Sequence, residues 1–400
     1  MSPAGECWVA VPEGSPFPVE NLPYGVCSRA GGPPRVGVAI GDHVLDLAPV
    51  LGGEPFAGPS LLPFMARGRP AWAETRARLT ELLTDTRHRD AVAPHLMPRS
   101  EVRVHQPFEV ADYVDFFASL DHASNAGRIF RPDGEPLPPN WRHLPVGYHG
   151  RAGTVVVSGT PVVRPSGQRR PPGESGPVFG PSTRLDIESE VGFVVGVGSP
   201  LGRPVPVEDF AQHVFGVVLV NDWSARDIQF WESIPLGPFL GKSFATSMSG
   251  WVVPLEALEA ARRPGPAQDP EPLPYLHSAE PWALDLTIEI ALNGEVISRP
   301  PFAGMYWTPD QMLAHLTVNG ASLRTGDLYA SGTVSGPERG QWGSLLELTW
   351  NGEEPLKLLD GSTRAFLEDG DTVTLTATAP GAGGVRIGLG EVAGTIHPAR

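Results

Sequence analysis

Glycine and proline punctuate this chain from end to end: 47 glycines and 45 prolines among 400 residues, spread along it rather than massed in one tract. Glycine supplies the positive φ of tight turns, and proline fixes φ while removing a backbone donor. A chain cut this often therefore reads as many short strands joined by turns, with few long helices. Near the start, RVGVAIGDHVLDL places two apolar-alternating runs on either side of Gly41-Asp42, a hairpin that opens a small β-rich module. From Pro70 to Leu83, Trp72, Leu79, Leu82 and Leu83 recur at helical spacing among charged residues, which predicts an amphipathic helix. The proline-punctuated, apolar-poor segment RHRDAVAPHLMPRSEVRVHQP marks a boundary near its end. It divides the chain into 1–108 and 109–400, both within the usual range of domain sizes.

Beyond that boundary the chain again reads as mostly strand: TVVVSGTPVV, EVGFVVGVG, VFGVVLVND, ALDLTIEIALNG, DLYASGTVSG, LLELTW and DTVTLTATA. Two short helices interrupt it. One is VEDFAQHV; the other starts after Ser224, where Ser224 and Asp227 have the spacing of a capping box. ARRPGPAQDPEPLPYLHSAEP is too polar for core and too long for a hairpin turn, and reads as a surface loop. The expected class is mainly β with α+β character.

A formal net charge of -15 argues against a nucleic-acid surface or an anionic membrane as partner, and an acidic substrate needs a local basic pocket. No apolar run approaches the ~20 residues that span a bilayer, and MSPAGECWVAVPEG has no basic flank followed by an apolar stretch. The two cysteines, Cys7 and Cys27, give no disulfide framework and no thiolate cluster, which fits a reducing compartment. A cytoplasmic location is expected.

Four acidic residues are laid out for a hard divalent cation: Asp115 in DYVDFFASLDHASN, Glu188 and Glu190 in RLDIESEVGF, and Asp222 at the head of NDWSARDIQ. On an extended strand residues two apart share a face, so Glu188 and Glu190 point one way with Asp186, while Leu185, Ile187 and Val191 point the other. Two like charges on one face repel unless a cation sits between them. Oxygen-only donors select Mg²⁺, Ca²⁺ or Mn²⁺ over zinc. The same Glu-x-Glu spacing also suits a solvated strand face.

His122 follows Asp115 closely, so one segment can supply both a ligand and a base. Glu347 reads as a strand carboxylate whose neighbours Leu346 and Leu348 face away, able to orient an imidazole. Arg226 and Gln229, three apart after Asp222, share a helix face. Lys242, behind a glycine and proline run, suits a developing oxyanion, and Arg131, Tyr148 and Arg151 suit a carboxylate-bearing ligand. Surface charge and loop packing are the plain alternatives for each.

With these motifs collected, the chain resembles the fumarylacetoacetate hydrolase family in its fumarylacetoacetase type, along nearly its whole length from NLPYGV to GEVAGTIHP. The most specific segments are DYVDFFASLDHASN, PPNWRHLPVGYHGRAGTVVVSGTP, VNDWSARDIQFWESIPLGPFLGKSFATS and LYASGTVSG. The resemblance implies an SH3-like β-barrel followed by a mixed β-roll catalytic domain that forms a homodimer. It implies Ca²⁺ at Asp115, Glu188, Glu190 and Asp222, with Mg²⁺ near Asp222, Lys242 and Thr246. His122 falls on the base and Glu347 on its partner, while Arg226, Gln229 and Lys242 fall on the polar groups around the reacting carbonyl. Arg131, Tyr148, Gln229 and Thr333 fall on substrate contacts. Two residues depart from the family pattern, Phe117 and Ser233, each standing where that pattern has tyrosine. The implied reaction is metal-dependent hydrolysis of an anionic β-diketo acid to fumarate and acetoacetate, the last step of tyrosine and phenylalanine breakdown. The rival readings are hydrolysis of a related acylpyruvate or acyl-ketoacid, and a non-catalytic metal-stabilised β-roll that binds a small acid.

Overall fold

The computed structural model describes residues 7–400; Met1–Glu6, on which part of the N-terminal reading rests, lie outside the described residues. The expected hairpin forms between the strands Arg35–Ile40 and His43–Asp46, with Ile40 facing His43. Gly41 makes the turn at φ 54, and a Cβ there would meet the Ala10 carbonyl at 2.7 Å. The predicted helix runs over Arg69–Thr84, with Pro70 in its first turn and the four expected apolar residues buried.

This first region is sewn into the rest of the sheet. The strand Tyr24–Arg29 pairs with Arg35–Ile40, with Val102–His105 and with Trp251–Pro254. Trp251–Pro254 also pairs with Val214–Asp222, which carries the sheet on through Ser189–Val195, Leu328–Ala330, Tyr113–Phe116 and Gly147–His149. Every residue of Ser189–Val195 and Val214–Asp222 is buried, as the near-continuous apolar runs require of strands covered on both faces. Trp72 packs edge-on against Phe215 at 5.2 Å, so the helix covers one of those faces. A five-stranded sheet, Glu295–Ser298, Thr287–Leu292, Thr372–Pro380, Arg386–His397 and Val162–Val163, covers another part of the core. Thr372–Pro380 alternates buried and half-buried residues along its length, the period of a strand with one packed face.

Three expectations need correction. LLELTW is not a strand: Leu345–Leu348 is a single helical turn, because the Ser344 hydroxyl accepts the Glu347 N–H at 3.3 Å and so caps it. Ser224 and Asp227 do not form a capping box. Ser224 donates to the Asp222 carbonyl and the Asp227 carboxylate accepts from Ser182 and Thr183, leaving the helix Arg226–Glu232 to begin without a side-chain cap. The second region also holds two helices beyond the two expected, Leu120–Phe130, capped by Ser119, and Pro309–Thr317, opened by a Thr308/Gln311 capping box. Among the described residues no helix is long and apolar enough to cross a membrane.

Candidate active site

The sheet order brings the four acids together. Asp222 is the last residue of its strand, which pairs with Ser189–Val195, and its N–H binds the Glu188 carbonyl at 3.0 Å. Gly192 on that strand faces Ala330, and Ala330 faces Asp115 on the strand beyond. Asp115, Glu188, Glu190 and Asp222 are all buried, and each offers a carboxylate oxygen within 4.8 Å of the others. The solvated-face reading of Glu188 and Glu190 is thereby excluded. Asp186 does not join them: the strand is interrupted at 187–188, and its carboxylate accepts the N–H groups of Leu345 and Leu346.

The carboxylates are unevenly satisfied, and the unevenness marks where a cation fits. Lys242 Nζ lies 2.5 Å from Glu188 Oε2 and 2.7 Å from Asp222 Oδ2, while Arg226 binds Asp186 and Glu188 at 2.7 Å each. Thr246 donates to Asp222 Oδ1 at 3.0 Å. Arg151, expected to take a ligand carboxylate, instead reaches Asp115 and Asp222 at 2.7 Å each. Glu190 has no such partner: both its oxygens are buried and unbonded. Burial, together with the charges of Asp115, Asp222 and Glu188, holds its carboxyl well above the usual range. At Glu188 burial pushes the same way, but Lys242 and Arg226 outweigh it and hold that carboxyl low. A buried carboxylate with two empty acceptors, among three other oxygen donors, fits a hard cation.

Beside this cluster lies a second device. His122 stands in the first turn of Leu120–Phe130, and its Nδ1 is 2.7 Å from Glu347 Oε2. An ionised carboxylate only accepts, so Nδ1 carries the proton and the lone pair of the neutral ring lies on Nε2. Glu347 is fixed in turn by Asn125 on one oxygen and by Ser335 and Ser344 on the other. Burial raises this carboxyl, yet the charge and hydrogen bond of His122 outweigh burial and bring it below the ordinary value. The Phe117 ring meets His122 edge to face at 5.3 Å.

Of the other expected contacts, Gln229 accepts from Arg226 at 3.2 Å, while Arg226 Nη2 is buried without a partner. Thr333 and Tyr148 also bury unpartnered hydroxyls. Ser233 turns its hydroxyl back onto the Gln229 carbonyl of its own helix. Arg131 is not brought into the cluster; it is exposed and binds the Glu135 and Pro136 carbonyls of its own loop. The glycine before Lys242 serves the protein rather than a ligand, since a Cβ on Gly241 would lie 2.8 Å from Gln229. Sequence reasoning missed Glu232, whose carboxylate accepts the N–H groups of Phe239, Leu240 and Gly241 and so anchors the loop that delivers Lys242.

Comparison with known proteins agrees with this geometry. The family described as "Fumarylacetoacetate (FAA) hydrolase C-terminal" matches residues 113–397, and "Fumarylacetoacetase N-terminal" matches residues 20–107. The chain is 49% identical over 414 residues to the fumarylacetoacetase of Homo sapiens, covering 98% of this chain and 99% of that one. It is 47% identical over 418 residues to the fumarylacetoacetase of Oryza sativa subsp. japonica, covering 98% and 97%. A solved fumarylacetoacetate hydrolase from Exiguobacterium antarcticum shares the fold, with a TM-score of 0.58 at 19% identity over 95% of this chain and 100% of that one. The chain belongs to the fumarylacetoacetate hydrolase family.

Proposed function

We propose that this chain is a hydrolase that cleaves the carbon–carbon bond of 4-fumarylacetoacetate to give fumarate and acetoacetate, the closing step of tyrosine and phenylalanine breakdown. The observation that carries the reading is the buried His122–Glu347 pair standing beside a four-carboxylate cation site, in a chain that matches fumarylacetoacetases along nearly its whole length. Asp115, Glu188, Glu190 and Asp222 would hold a Ca²⁺ or Mg²⁺, which would supply Lewis-acid stabilisation of the negative charge that develops on the substrate. His122 takes a proton at Nε2 from water as the water oxygen bonds to the carbonyl carbon, and Glu347 steadies the imidazolium. Arg226 Nη2 and Lys242 donate to the tetrahedral oxyanion, with Gln229 holding Arg226. Collapse breaks the carbon–carbon bond, its electron pair leaves on the acetoacetate carbon, and the His122 proton returns there.

Tyr148 and Thr333, with their unpartnered hydroxyls, suit the substrate's polar ends, and Arg131 would have to swing in from its loop to join them. Thr246 and Lys242 suit a magnesium hydrate beside Asp222 rather than direct ligation by lysine, whose ammonium has no lone pair. Residues 1–108 as an SH3-like barrel and 109–400 as a catalytic β-roll remain part of this reading, as does a cytoplasmic location, to which the free thiols of Cys7 and Cys27 are suited. A homodimer is favoured by the apolar run around Ile234, Leu236 and Phe239, which are 90%, 96% and 67% exposed.

The back-turned Ser233 and the phenyl of Phe117 favour a second reading, hydrolysis of a related acyl-ketoacid. Spectrophotometric loss of fumarylacetoacetate, run beside acylpyruvates and with or without chelator, separates the two. Chelator-sensitive turnover fastest with fumarylacetoacetate supports the first reading, and faster turnover of an acylpyruvate replaces it with the second.

A further inference from the structure

Neither the four carboxylates as ligands, nor the His122–Glu347 pair, nor the oxyanion donors require Arg151, yet several independent features hold it in place. Its backbone is left-handed at φ 59, a conformation that residues bearing a Cβ rarely adopt. Its guanidinium lies between two aromatic rings, 4.9 Å from the centroid of Tyr113 and 5.0 Å from that of Tyr148. Its side chain is only 4% exposed, and a single nitrogen, Nη2, reaches both Asp115 Oδ2 and Asp222 Oδ2 at 2.7 Å. A guanidinium that only needed a carboxylate could find one at the surface without a strained backbone or an aromatic sandwich.

The charges of the connected network explain what this arrangement achieves. Leaving aside the His122–Glu347 pair, the ion pairs join Asp115, Asp186, Glu188 and Asp222 to Arg151, Arg226 and Lys242, and Glu190 faces the same space without a cationic partner. With every carboxylate ionised, as ligation of a cation requires, five carboxylates against three cations leave two negative charges, and all eight groups are buried. An uncompensated buried charge is strongly unfavourable, so the position among the four carboxylates is matched by an ion carrying two positive charges, a hydrated Mg²⁺ beside Asp222 lying outside this count.

We propose that Arg151 sets the valence of the ion this site takes, by cancelling one carboxylate charge so that the remainder matches a divalent cation, while its shared nitrogen keeps Asp115 and Asp222 at a common spacing. The inference rests on the cation-site reading above and adds to it the residue that tunes it. Without Arg151 the remainder would be three negative charges, and a trivalent ion would gain more from the site than a divalent one.

Terbium luminescence titration with calcium competition tests this without reference to activity. The native protein should bind both ions, and Arg151→Gln should raise the ratio of Tb³⁺ to Ca²⁺ affinity by about tenfold or more, since the added unit of ion charge is felt at short range in a poorly screened site. Arg151→Lys keeps the charge but loses the planar guanidinium held between the two rings, so both affinities should fall while their ratio stays within about twofold of native. If Arg151→Gln weakens both ions by the same factor, Arg151 only positions its partners and the proposal is overturned. If Arg151→Gln does not fold by circular dichroism, Arg151→Lys decides: an unchanged ratio supports the proposal, and a tenfold change overturns it. Native protein that binds neither ion would instead sink the cation-site reading itself.

Discussion

His122 and Glu347 meet at 2.7 Å across 225 residues of chain, and the carboxylate is held there by Asn125, Ser335 and Ser344 as well as by the imidazole. Two residues bound in this way act as one unit. His122→Gln should keep the fold and lower kcat by about 10²–10⁴, the range for losing a positioned general base. Glu347→Gln should be impaired as well, and the double variant should be little worse than His122→Gln alone. Steady-state kinetics on the four proteins checks this, and fully additive losses would show that the residues act separately.

The Glu347 carboxyl also makes stability depend on pH. Its folded value lies below the ordinary one, so the charged form is favoured by folding. That contribution is fully present above the unfolded value of about 4.3 and is lost as pH falls through the lower folded value. Denaturant unfolding should therefore show native protein ahead of Glu347→Gln at pH 6, with the gap narrowing as pH falls toward 3. A gap independent of pH would mean that shape, not charge, is what Glu347 supplies.

Removal of the cation should lower activity and thermal stability together, because an ion bound only by the native state stabilises that state. Differential scanning fluorimetry should show Tm falling on chelation and recovering with Ca²⁺ or Mg²⁺. Glu190→Gln should lose much of this response, since among the four clustered carboxylates it replaces the one whose oxygens have no protein partner. Rescue by zinc alone would contradict the hardness of the donor set.

At the two departures from the family pattern, added phenols should tighten substrate binding. Phe117→Tyr combined with Ser233→Tyr restores two donors near His122 and Gln229, each worth roughly 1.5–3 kcal/mol toward a charged acceptor. KM for fumarylacetoacetate should fall more than kcat changes. Weaker binding by the double variant, with native protein preferring another acyl-ketoacid, would make Phe117 and Ser233 determinants of a different specificity.

The acidic quartet was legible because each carboxylate sits in a long motif or at a strand end, and the hairpin and the Arg69–Thr84 helix because their periods are local. Capping was harder to read. Ser224-Ala-Arg-Asp227 and Ser344-Leu-Leu-Glu347 offer the same Ser-x-x-acid spacing, yet only the second caps a turn. Asp227 is claimed by Ser182 and Thr183 from another part of the chain, whereas Ser344 is free to accept the Glu347 N–H. Weighing that spacing above the alternation of Leu346 and Leu348 would have placed Glu347 on a helix. Arg151 gave no local signal of its role, since its partners Asp115 and Asp222 are 36 and 71 residues away.

The strand Trp251–Pro254 bonds on one side to Tyr24–Arg29 and on the other to the strand that ends in Asp222. A single ribbon of backbone hydrogen bonds thus links the strand Tyr24–Arg29 to Asp222 of the acidic cluster. At Gly25, on the shared seam, a Cβ would lie 2.7 Å from the Trp251 ring. A lesion there would spread along the ribbon and register in an assay as failed chemistry, although it touches no reacting group. In this architecture, distance from the active site along the sequence is a poor guide to which inherited changes are harmless.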